Sequence, residues 1–200
     1  MATMHYLFFS IFSVAVLIAL GFGDRALRPQ GREYNQPAMR YGFMEEAPAV
    51  TGGALADIRK RIILIAAQEI GVRESSGQND GPRVEGYLAY TGLGKGYAWC
   101  AAFVSWCYGQ VGLSAPRNAW SPALFPQVRR YAVTDVRQGR VRTADVFGIY
   151  NQRLGRIDHV GLVREVDSRW LLTVEGNVHD QVLSKRRPRA TIYAVANWLN

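Results

Sequence analysis

The chain has 200 residues, enough for one globular domain and a tail, and its 48% apolar content excludes a chain too polar to build a core. Two cysteines exclude a disulfide framework. A net charge of +8 favours anionic partners such as a bacterial wall, acidic lipid or nucleic acid, without choosing among them.

Residues 6–22 carry no charge and are almost wholly apolar. That length lies between a signal-peptide core and a short membrane span, and Ala19, Gly21 and Gly23 suit cleavage before Asp24. Residues 1–23 therefore read as a signal peptide or membrane anchor. The domain would then be exported, periplasmic or extracellular, free or anchored to the inner membrane through residues 6–22. Against translocation stand Arg25, Arg28 and Arg32, which follow the apolar run while no Lys or Arg precedes it. Residues 24–53 are rich in Gly, Pro, Arg and polar residues without a period, and read as a linker.

From Ala54 the spacing of Ile58, Ile62, Ile65, Ala66 and Ile70 predicts an amphipathic helix, ended by Gly71. Turn residues make 75–82 a loop. Val84, Tyr87, Leu88 and Leu93 suggest a second short helix, broken by the glycines of 90–96. Residues 98–111 are apolar and read as a buried helix; Ser121 then suits an N-cap with Pro122 at the first helical position. Strands are expected over 146–150, 160–166, 170–174 and 191–195. Helices first and strands second give an α+β domain over 54–200, its helices packed on a mostly antiparallel sheet. The basic run 185–189 reads as a solvated strand edge blunted by charge and Pro188. Its alternative is a phosphate contact in a basic nucleic-acid-binding domain; nucleic acid is not the expected partner.

Cys100 stands where the Gly-rich loop turns into the buried helix. The unpaired N–H groups and dipole of a helix N-terminus favour a thiolate there, and the same N–H groups can donate to a tetrahedral oxyanion. Cys107 lies two turns deeper between Trp106 and Tyr108, in surroundings that suit packing. On one helix the two are separated by seven residues at ~1.5 Å each, about 10 Å, beyond the ~7 Å Cα limit for a bridge. Of three histidines, His5 falls in the leader and His179 in a polar turn. His159, at the start of a strand, is left as the base that takes a thiol proton and returns it to a leaving amine. Leu172-Thr173-Val174-Glu175-Gly176-Asn177 ends another strand, and alternation puts Glu175 and Asn177 on one side. Either could accept the other ring N–H of His159.

Trp-Cys-Ala-Ala-Phe-Val at 99–104, Asp-His-Val-Gly at 158–161 and Val-Glu-Gly-Asn at 174–177, in that order, resemble a CHAP domain, a cysteine- and histidine-dependent amidohydrolase/peptidase. The resemblance spans roughly 56–199. It implies a papain-like fold and a cell-wall hydrolase acting on peptidoglycan or its peptide stems, as an amidase or endopeptidase. It puts the nucleophile at Cys100, the base at His159 and the orienting residue at Glu175, with Asn177 as a further polar site residue. The loop 77–82 resembles a segment of a cell-wall-lytic subgroup, which places Asn79 near the cleft. Tyr97 and Trp99, just ahead of Cys100, join Asn79 as substrate-binding candidates. No separate wall-binding module is visible, so leader and linker would localise the domain. A catalytically inactive wall-binding module is the alternative, against which intact Cys100 and His159 argue. A thiol–imidazole mechanism needs no cofactor, and no Cys or His spacing suggests a metal site.

Overall fold

The computed structural model describes residues 52–199. The leader expected over 1–23 lies outside these, as does the linker except for Gly52 and Gly53, which already belong to the first helix.

That helix, α1 (Gly52–Gln68), buries Arg59, Ile62, Ile63 and Ala66. The buried stripe thus runs through Ile63, whereas Ile70, expected on it, lies beyond the helix and is exposed. Next come α2 (Pro82–Tyr90), opened by its proline, and α3 (Cys100–Gly109). Eight of the ten α3 residues are buried, so α3 is a core helix rather than an amphipathic one. The helix expected from Ser121 is only a 3-10 turn, Ser121–Leu124, with Trp120 as its N-cap residue. The Ser121 hydroxyl is not spent on capping, and it points elsewhere, as described below.

After a short α4 (Val133–Arg137) the chain builds one antiparallel sheet from β1 (Val146–Asn151), β2 (Arg156–Val166), β3 (Trp170–Val178), β4 (Gln181–Pro188) and β5 (Ala194–Ala196). The strand order is β4-β3-β2-β1-β5. The basic run does lie on an edge strand, β4, with Pro188 at its end.

One face of the sheet meets the helices. Val146, Val160, Leu162 and Val174 pack there with Ile62, Leu88, Phe103 and Val104. The other face carries a smaller cluster of Phe147, Val163, Leu171 and Val195. α3 lies close on β3 because Gly176 has no side chain. A Cβ there would come within 2.7 Å of the Trp99 ring and 2.8 Å of Phe103 Cβ. The Gly of Val-Glu-Gly-Asn is therefore a packing requirement that seats the cysteine helix on the sheet.

Candidate active site

Cys100 is the first residue of α3, and the Trp99 carbonyl accepts the first helical bond, from Phe103 N–H at 2.8 Å. The N–H groups of the first turn are left without intrahelical partners. The thiol is buried but opens on a cleft of about 450 Å³. Its Sγ lies 3.4 Å from Ser121 Oγ and 3.9 Å from the Asp158 carbonyl oxygen.

His159 sits within β2, opposite Ile149 of β1, rather than at the strand's start. Its Nε2 is 2.7 Å from Glu175 Oε2 on β3, so Nδ1 is the nitrogen left for the thiol. Glu175 is fully buried and accepts four donors. Thr173 Oγ1 gives to Oε1 at 2.5 Å; Arg187 Nε gives to Oε1 at 2.9 Å and an Arg187 Nη to Oε2 at 2.6 Å; His159 is the fourth. This bidentate clamp fixes the plane of the carboxylate. Gly161 makes room for it: a Cβ there would meet Glu175 Cγ at 2.8 Å. The Gly of Asp-His-Val-Gly thus lets the carboxylate cross beneath β2 to reach the ring.

These contacts set the charges. Burial raises the Glu175 pKa, but Arg187, His159 and Thr173 outweigh it and hold the carboxyl at about 2. Burial disfavours the His159 cation, yet its hydrogen bonds to Cys100 and Glu175 and their charges raise it to about 9. Burial likewise raises the Cys100 thiol, and His159, with Ser121 and the Val160 N–H, brings it below its ordinary value. A thiolate–imidazolium pair backed by an ionised carboxylate is the state this geometry favours. Cys107 is its opposite: burial, with the charge of Glu69, pushes that thiol well above 9.

Of the other predicted residues, Tyr97 is exposed and lines the cleft. Trp99 does not. It is fully buried, packs against Tyr87 and Phe103, and donates Nε1–H to Glu74 Oε1 at 2.7 Å, so no substrate can reach it. Asn177 does not orient His159. The β3–β4 register shifts between Glu175 and Val178 and Asn177 takes φ 57°, so strict alternation fails there. Its Nδ2 donates to Asn79 Oδ1 at 3.1 Å. Asn79 is thereby a brace: its carbonyl also accepts Gly96 N–H at 2.9 Å, and its own N–H donates to Glu74 Oε2 at 2.7 Å. Together these bonds steady the loop that leads into Cys100.

Three residues at the site were not anticipated as such. Arg187 was hidden in a run that reads as solvated charge, although its alternation with Arg186 in a strand would turn one of the two inward. Ser121 reads as a cap. Asp158 contributes a carbonyl, which no side-chain pattern reports. Among the described residues no group of His, Cys, Asp and Glu could hold a metal ion.

Comparison with known proteins finds several structures similar to this chain. The peptidoglycan hydrolase RipB from Mycobacterium tuberculosis is similar in structure at 17% identity, covering 74% of this chain and 68% of that one, with a TM-score of 0.47. The resuscitation promoting factor interacting protein RipA is similar at 16% identity, covering 75% and 66%, with a TM-score of 0.48. The P60 domain of an M. avium paratuberculosis antigen is similar at 15%, covering 72% and 94%, with a TM-score of 0.45. No curated protein matches the chain. Residues 92–177, a segment that holds Cys100, His159 and Glu175, match the family model of the CHAP domain.

Proposed function

We propose that the protein is a papain-like thiol hydrolase that cleaves amide bonds of peptidoglycan, outside the cytoplasm. The observation that carries the chemistry is the line from Cys100 through His159 to a buried, ionised Glu175, opening on a cleft at a helix N-terminus. The substrate class rests on the CHAP domain, and the net charge of +8 suits an anionic wall.

In this reading the Cys100 thiolate attacks the carbonyl carbon, and N–H groups of the first turn of α3 stabilise the oxyanion. The C–N bond breaks as the His159 imidazolium gives its proton to the leaving amine. The neutral ring then takes a proton from water, whose oxygen attacks the thioester and releases the acid and Cys100. Glu175 keeps the ring in the productive tautomer, and Arg187 positions Glu175.

The test is hydrolysis of purified wall, with mass analysis of the fragments to identify the bond. Wild type should release fragments with new amine and carboxyl ends, and Cys100→Ala should release none. Undiminished lysis by Cys100→Ala would overturn the thiol mechanism.

A further inference from the structure

The cleft that opens from Cys100 is unbalanced in charge. Arg117 and Arg156 line it, against one carboxylate, that of Asp158. Asp158 Oδ2 accepts Asn151 Nδ2 at 2.5 Å. Arg117 is held in place. Its Nε donates to the Tyr90 carbonyl at 2.7 Å, and the guanidinium lies over the Tyr90 ring, 4.6 Å from the centroid. That leaves the other side of its fork uncommitted. Arg156, three residues before His159 on β2, has no side-chain hydrogen bond or ion pair among the described residues. Elsewhere the pattern is different: Arg59 pairs with Asp145, Arg83 with Glu69 and Arg187 with Glu175. Neither Arg117 nor Arg156 is paired with a carboxylate, and both line the cleft that holds the candidate nucleophile.

We propose that this cleft selects amides flanked by a free carboxylate, with Arg117 and Arg156 as the specificity-determining residues. The inference rests on Cys100 being the nucleophile of an amide hydrolase. The planar guanidinium fork matches a carboxylate with two parallel hydrogen bonds. The aromatic faces of Tyr97 and Trp120, both more than half exposed at the cleft, supply apolar contact for the rest of the substrate. Cleft and thiol share their lining, so an occupant held by the arginines lies within reach of Cys100.

The test divides purified wall into two portions. One is treated with carbodiimide and ammonium chloride, which turns carboxylates into primary amides and leaves phosphodiesters charged. Hydrolysis of both is measured for wild type, Arg117→Gln, Arg156→Gln and, as a control outside the cleft, the exposed edge-strand variant Arg186→Gln. Amidation should slow wild type about tenfold or more in kcat/KM, the size of a lost charge-assisted contact. Each cleft variant should be slowed on untreated wall and lose most of its sensitivity to amidation, while Arg186→Gln keeps the wild-type ratio. Equal wild-type rates on the two walls would overturn the proposal, as would cleft variants that keep the full wild-type ratio. Wild type that hydrolyses neither wall would instead overturn the assignment of Cys100, and the proposal with it.

Discussion

The two ends of α3 present the same ingredients in different order. Each end has a buried thiol, a carboxylate and an arginine. At the N-terminus, Arg187 clamps Glu175, Glu175 holds His159, and His159 faces Cys100. Toward the C-terminus, Arg83 clamps Glu69, whose Oε2 also accepts the Tyr87 hydroxyl at 2.5 Å, and Cys107 lies within the field of that carboxylate. What differs is the group between carboxylate and thiol. An imidazole can carry a proton and a positive charge, so it transmits the carboxylate's pull as stabilisation of the thiolate. With no such relay, the Glu69 charge only opposes ionisation of Cys107. A buried carboxylate held by a more exposed arginine is therefore a structural device at both ends. The imidazole and the cleft make one of them a candidate for catalysis.

Breaking the comparison should have graded effects. Cys100→Ala should lower wall hydrolysis by at least about a thousandfold, the scale of losing a covalent nucleophile. Cys107→Ala should leave the rate intact and cost about 1 kcal/mol of stability in denaturant unfolding. Glu175→Gln should lower kcat/KM roughly ten- to hundredfold, because the ring loses an ionised acceptor. Its counterpart Glu69→Gln should cost about 1–2 kcal/mol of stability and leave the pH profile of hydrolysis unmoved. In wild type, kcat/KM should rise with pH as Cys100 ionises below 9 and fall as pH passes about 9, where His159 loses its proton. Arg187→Met should move the rising limb upward by up to about one unit, since removing a cation raises the pKa of every acid near it.

Stability against pH follows from the same groups. The folded His159 pKa is raised to about 9, so its contribution is complete below the ordinary 6.5 and is lost as pH rises through about 9. The Glu175 pKa is depressed to about 2, so its contribution is present above 4.5 and is lost as pH falls through about 2.

Helices α1 and α2 were legible from their apolar spacing and α3 from its unbroken apolar run, and Cys100 and His159 because so few cysteines and histidines compete. Strand β4 was harder to see. Its outward side is a run of charge, and only Val182 of its residues is fully buried. Reading it as a solvated edge is right for Arg186 and misses Arg187, which reaches across to Glu175. The pairing of Glu175 with Asn177 failed for a local reason, the register shift and left-handed backbone that turn Asn177 to Asn79. Trp99 misled by adjacency: at the residue before a helix the chain turns sharply, and its ring falls into the core while Cys100 faces the cleft. At the two motif glycines, Gly161 and Gly176, the structure needs close approach, a long-range property that no local pattern encodes.

The central claim is that His159 makes Cys100 a thiolate. It is tested most directly by the pH midpoint of iodoacetamide modification at Cys100, followed by mass spectrometry in wild type and in His159→Gln. The wild-type midpoint should lie below the ordinary thiol value of about 8.5, and the variant's should rise to that value or above it. The same midpoint in both proteins would contradict the account.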